Sequence, residues 1–228
     1  MKKSDAPGSR RVLLTLTLST AVVATVVLIS LSQLGSVGGP VDVEDPYPGI
    51  PQTGTTLGRA GAPVTISVYE DFQCPFCGRF SREVLPPLVR EHVETGEAKV
   101  VSRPLTFLGE DSLEAARAAL AAGEQGLYWE YHSLLFENQG AENSGYVTYE
   151  FLEGLARQVQ GLDLGEWNGS RTGDLPDSDL EEAQSRARLS GVEATPTVVV
   201  SGPGGEKRLS GADDPEEISA AIREVGAA

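Results

Sequence analysis

The sequence predicts an α/β fold, a mixed sheet covered by helices, and three observations carry that expectation. A β-branched and aromatic run ends at Glu70 and passes into an amphipathic stretch, after which a second strand-like run follows. Roughly sixty residues of helical periodicity come next. The final third then changes to strand-like runs around a turn, with one more helix behind them. The order is therefore βαβ, a block of helices, then ββα. The block is too long to be a simple connection, so it is expected to form a cap of its own beside the sheet.

Each element has a local reason. The first strand is Pro63-VTISVY-Glu70, of strand length and rich in branched side chains. In the stretch after it, Phe76, Phe80, Val84, Leu85 and Leu88 recur at helical spacing with charges between them. Pro86-Pro87 is expected to kink or break that helix, because each proline lacks an N–H and constrains its neighbour. A second strand is expected at Ala98–Pro104. Asp111 with Glu114 resembles a capping box before LEAARAALAA, and Ser178 with Glu181 another before a helix that stops at Gly191. Between them, residues 128–138 and 148–159 are each amphipathic at helical period. Thr197-VVV-Ser201, a GPGGE turn and Lys207-RLS-Ser210 read as a hairpin, and Pro215 opens a last helix.

The N-terminal part reads differently. Val12 to Leu31 is an uncharged apolar run, preceded by Lys2, Lys3, Arg10 and Arg11 against a single Asp5. Such a run is long enough to cross a hydrocarbon core of about 30 Å as a helix. Cationic flanks stay on the cytoplasmic side. The expectation is a cytoplasmic basic flank at 1–11, a transmembrane anchor at 12–34 and a flexible linker at 35–56 rich in Gly, Pro, Ser and Thr. A cleavable signal peptide is the competing reading, although its apolar core is usually shorter and followed by an A-x-A-like site. Either way residues 57–228, including a helical insertion at about 105–190, are expected outside the cytoplasm. The formal net charge of −15 disfavours a phosphate backbone as partner, so no nucleic-acid binding is expected.

The only two cysteines, Cys74 and Cys77, lie in EDFQCPFCGRF. As a structural staple the pair would close a four-residue loop and add under about 2 kcal/mol. As half of a zinc site it would need His92 and His132, which lack the close spacing zinc motifs use. No metal and no cofactor is expected, and both histidines read as ordinary surface or packing residues. A redox role has three requirements, and the sequence meets each. Cys74 follows a strand at a helix start, where unpaired N–H groups and the helix dipole favour a thiolate. Pro75 suits the first helical turn, and Cys77 returns one turn later on the same face. A docking edge can come from EATPTVVV, where Thr195-Pro196 enters a strand. A plain edge proline is the alternative there.

DFQCPFC after a strand, a long helical insertion, and ATPT before a hairpin together resemble the DsbA-like thiol–disulfide oxidoreductases of the thioredoxin superfamily. The resemblance spans about residues 55–226. It implies a thioredoxin-like mixed sheet flanked by helices with an inserted helical domain. It also implies a cis Thr195–Pro196 bond set against the disulfide, with Cys74 as exposed nucleophile and Cys77 as buried partner. Catalytic residues on this basis are Cys74, Cys77, Pro75, Phe76, Thr195 and Pro196.

Two departures from that family bear on chemistry. Thioredoxins carry a buried acid six residues before the first cysteine, where this chain has Val68. Asp71 or Glu70 could assist proton transfer instead, the alternative being that both are solvated carboxylates at a strand end. Some strongly oxidising relatives place Pro-His between the cysteines, and Phe76 offers no imidazole. The Cys74 pKa is therefore expected below the free value of about 8.5 yet above the lowest family value of about 3.5.

The implied activity is that of a monomeric, membrane-tethered oxidase that introduces disulfides into exported proteins. Its partners would be reduced or unfolded exported proteins and a membrane quinone-linked reoxidase. A reductase or isomerase on the same scaffold is the alternative, and a redox-inert scaffold domain a more distant one.

Overall fold

The computed structural model describes residues 45–227. The basic flank at 1–11, the anchor at 12–34 and the first part of the linker lie outside the described residues. Among the described residues no helix is long and apolar enough to cross a membrane.

A six-stranded sheet runs in the order β1-β2-β4-β3-β5-β6. Its strands are β1 (Gln52–Thr53), β2 (Thr56–Leu57), β3 (Val64–Glu70), β4 (Ala98–Pro104), β5 (Thr197–Gly202) and β6 (Gly205–Ser210). β3 pairs parallel to β4 and antiparallel to β5, so the sheet is mixed as expected. The alternation of side chains along each strand divides the core. Val64, Ile66 and Val68 join Val198 and Val200 in the larger core, whereas Tyr69 and Val199 join Ala183 and Ala187 on the other side of the sheet.

The helices are α1 (Pro75–Arg79), α2 (Leu85–Leu88), α3 (Glu110–Glu124), α4 (Tyr128–Glu137), α5 (Tyr149–Ala156), α6 (Leu164–Arg171), α7 (Leu175–Leu189) and α8 (Pro215–Gly226). One expectation is met in part and three need correction. The double proline distorts its helix without breaking it. α1 and α2 are joined by a π-helical turn at Phe80–Val84 and continued by another at Val89–Val93. The Leu85 N–H reaches back to the Phe80 carbonyl in that wider register, which absorbs the loss of two donors while the apolar face stays buried.

The linker predicted through residue 56 ends sooner. Tyr47 is buried with its ring 6.1 Å from Trp129, and β1 and β2 extend the sheet beyond β4. Two-residue strands carry no period; β2 exists by pairing with β4, and β1 by pairing with β2. Asp111 does not cap α3, which starts at Glu110 behind Gly109, and its carboxylate accepts the Gly145 N–H instead. α7 starts three residues before Ser178, at Leu175 behind Asp174, so Ser178 with Glu181 is not its cap. One helix escaped the sequence altogether. α6 buries a single residue, Trp167, whose indole N–H donates to the Ala118 carbonyl at 2.9 Å.

Candidate active site

β3 delivers the chain to the site. At its end the Asp71 N–H faces Cys77 Sγ at 3.5 Å, and the Cys74 N–H donates to the Asp71 carbonyl at 2.9 Å. Cys74 takes the N-cap position of α1 with extended backbone, and Pro75 takes the first turn, where its missing N–H leaves no orphan. Cys77 lies one turn on, fully buried, while Cys74 retains 6% exposure. Both are present as thiols. Across from them the Thr195–Pro196 peptide bond is cis, and Cys74 Sγ donates to the Thr195 carbonyl at 3.4 Å. The structure thus brings Cys74, Pro75, Cys77, Thr195 and Pro196 together across 121 residues of sequence. Phe76 stands at the rim, 58% exposed, under the Arg79 guanidinium at 5.4 Å. With Phe80, Thr195, Pro196 and Ala212 it lines a cavity of about 280 Å³.

The two thiols differ in acidity. Cys74 is lowered from its ordinary value of 9.0 to about 6, chiefly by a hydrogen bond from the Cys77 thiol. Burial opposes this; the Cys77 and Phe76 N–H groups and the Thr195 hydroxyl assist. Burial pushes Cys77 well above its ordinary range, and the neighbouring Cys74 and Glu70 charges push it further.

The acidity of Cys74 makes the reduced state depend on pH. Its folded pKa lies below the unfolded one, so its contribution to reduced-state stability is full above about 9 and disappears as pH falls through about 6. Cys77 has the opposite sign and its contribution is lost above its unfolded value of about 8.5. Thiolate absorbance of the reduced protein is expected to titrate near pH 6, and the reduced form should gain stability on the oxidised form between pH 6 and 8. A midpoint above 8 overturns this account.

Behind the cysteines lie two carboxylates, and neither is solvated. Asp71 is fully buried, and its oxygens accept from the Gln73 N–H at 2.9 Å, the Ser112 hydroxyl at 2.6 Å and the Leu108 N–H at 3.1 Å. Glu70 is 1% exposed. Its Oε1 accepts from the Ser102 hydroxyl at 2.5 Å and pairs with His132 Nε2 at 3.0 Å. Its Oε2 and His132 Nδ1 have no hydrogen-bond partner among the described residues. Glu70 occupies the same face of β3 as Val68, one pleat nearer the cysteines. His132 is therefore no surface residue; it closes a buried polar cluster with Glu70, Ser102 and Tyr128. His92 stands apart, between Glu97 and Ser219.

Reasoning from sequence missed Ser112, His132 and Gln139 as neighbours of the site. Each reaches it from a different element, and no local spacing marks them.

Two thiols one turn apart, one acidic and the other held protonated, can accept and return a disulfide with a third thiol. That chemistry on this sheet defines a DsbA-like thiol–disulfide oxidoreductase. The chain belongs to the thioredoxin family: the family model described as Thioredoxin matches residues 51–224. It is 26% identical over 168 residues to disulfide bond formation protein D of Bacillus subtilis, covering 73% of this chain and 74% of that protein. It is 34% identical over 192 residues to the Na(+)/H(+) antiporter NhaA 1 of Salinispora arenicola. There the alignment takes in 83% of this chain, which spans only 27% of the antiporter's length. The crystal structure of oxidised BdbD from Bacillus subtilis superposes with a TM-score of 0.68 at 24% identity, over 84% of this chain and all of that one. That last likeness is one of fold.

Proposed function

We propose that this chain is a membrane-tethered, extracytoplasmic oxidase that introduces disulfides into exported proteins through Cys74 and Cys77. A client thiolate attacks Cys74 Sγ of the Cys74–Cys77 disulfide, and Cys77 leaves and takes up a proton. A second client thiolate then attacks the client sulfur of the mixed disulfide and releases Cys74 as thiolate. Two electrons pass from the client to the enzyme. A membrane quinone-linked oxidant returns the pair to the disulfide, as the resemblance to DsbA-like enzymes implies. Thr195 and Pro196 border the client chain, and Phe76 meets it at the rim.

The observation that carries the reading is the geometry of the site: Cys74 at the N-cap of α1, Cys77 buried one turn on and the Thr195 carbonyl 3.4 Å from Cys74 Sγ. That setting lowers the Cys74 pKa and so supports the oxidising direction. A thiolate favoured in the folded protein stabilises the reduced state, and a stabilised reduced state is what makes a pair a strong oxidant. The apolar run from Val12 to Leu31 ahead of the domain supports the membrane tether. A reductase or isomerase would use the same residues with a lower potential.

The test is refolding of reduced, denatured ribonuclease with the oxidised protein and no other oxidant. Ribonuclease activity is expected to return in proportion to the enzyme added, with a reduction potential nearer about −120 mV than about −270 mV. No recovery, with a potential near the lower figure, would refute the oxidase reading.

A further inference from the structure

Among the contacts that hold the turn carrying Cys74 to the helical insertion, one side chain reaches two of its carbonyls. Gln139 lies in the connection between α4 and α5, and its Nε2 donates to the Phe72 carbonyl at 2.8 Å and to the Cys74 carbonyl at 3.0 Å. Both hydrogens of one amide are thus aimed at carbonyls on either side of Gln73. Gln73 answers in the opposite sense, its Oε1 accepting the Asn143 N–H at 2.9 Å from the same connection. Asn143 adopts a positive φ of 53° there, a conformation asparagine tolerates better than most residues.

The path of Gln139 to the turn crosses Gly78. A Cβ at that position would lie 2.5 Å from Gln139 Oε1 and 2.9 Å from Arg82 Nη1. Gly78 sits in α1, where glycine is the least favourable residue after proline, so helix propensity alone favours alanine. The close approach of the Gln139 amide supplies a reason for glycine that propensity does not.

We propose that Gln139 is a positioning residue for Cys74, and that Gly78 is glycine in order to admit it. The amide engages the negative ends of two peptide dipoles beside the sulfur. It also fixes the turn so that the first N–H groups of α1 face Cys74 rather than solvent. Removing it leaves the Phe72 carbonyl without that donor and the Cys74 carbonyl with the Gly78 N–H alone, which returns negative carbonyl charge to the neighbourhood of the thiolate.

The inference rests on Cys74 being the sulfur that exchanges with the client, and it is tested without a client protein. Thiolate absorbance is titrated in the reduced full-length wild type, Gln139→Ala, Gln139→Glu, Gly78→Ala and the Gly78→Ala/Gln139→Ala double variant, with thermal unfolding of each. In wild type about half of Cys74 is expected to be thiolate near pH 6. In Gln139→Ala the fraction at that pH is expected to fall to about a tenth. Gln139→Glu keeps the length, cannot donate when ionised and adds a negative charge, so its fraction should fall further. Gly78→Ala displaces the amide and should match Gln139→Ala, the double variant adding nothing to either. Lower thermal stability with wild-type titration in both Gln139 variants would show a merely structural role and overturn the proposal. Additive effects in the double variant would overturn the part assigned to Gly78. Ribonuclease refolding by the wild type in the same preparation separates the two levels: no refolding defeats the oxidase reading, whereas refolding with unshifted variants defeats the clamp alone.

Discussion

Cys74→Ala is expected to abolish the refolding of reduced ribonuclease, and Cys77→Ala to abolish it too while leaving Cys74 able to hold a mixed disulfide with an oxidised small thiol. The two variants differ because the two thiols differ. Cys74 has residual exposure, an N-cap position and a pKa of about 6, so it is the sulfur a client thiolate can reach and the one released readily as thiolate when the mixed disulfide is resolved. Without it neither the disulfide nor the attacked sulfur exists. Cys77 has no exposure, and burial keeps it protonated. Without it Cys74 still exchanges with a client disulfide or an oxidised small thiol, but nothing inside the protein resolves the product. Cys77→Ala should therefore accumulate a mixed disulfide at Cys74, seen as a reducible mass increase. Mixed disulfides at Cys77 in the Cys74→Ala variant, with none in Cys77→Ala, would reverse the assignment.

Asp71→Ala is expected to lower the stability of the domain by about 2–4 kcal/mol, or about 4–16 °C in Tm for a chain of this size. Three donors converge on its carboxylate: the Gln73 N–H of the redox turn, the Leu108 N–H of the loop after β4, and the Ser112 hydroxyl of α3. Alanine orphans all three in a fully buried place. Relief from burying a carboxylate offsets part of that cost, which is why the range stops short of the sum of three bonds. Asp71→Asn keeps the volume and one acceptor but turns an amide N–H toward a donor, and should fall between the two. The measurement is denaturant unfolding of the reduced protein. A loss below about 1 kcal/mol for the alanine variant would show that the cluster does not hold the turn.

Elements with strong local patterns were legible in the sequence, and those created by partners were not. β3, β4 and the β5–β6 hairpin follow from branched runs bounded by turn residues, and α8 from Pro215 and an amphipathic pattern. β1 and β2 are different, because Thr56 and Leu57 become strand only by pairing with Val101 and Val100. α6 is polar, contains two glycines and owes its existence to Trp167 beneath it. Pro86 and Pro87 signalled a break, and packing of Leu85, Leu88 and Val89 kept the helix through π-helical turns. Burial of Glu70 and Asp71 was illegible for the same reason: a carboxylate at a strand end looks solvated until Ser102, Ser112 and His132 arrive from other elements.

The sequence by itself determined the chemistry on offer, namely two thiols one turn apart behind a strand, a helix start to acidify the first, and a Thr-Pro entering a strand. Those features are local, so spacing and residue type reveal them. Only the tertiary structure decided how the thiols behave. The separation of their acidities depends on which sulfur is buried, and the hold on the turn depends on Gln139, Asn143 and Ser112. All of these reach Cys74 through space from the helical insertion, where hydrogen-bond geometry, unlike periodicity, leaves no trace along the chain.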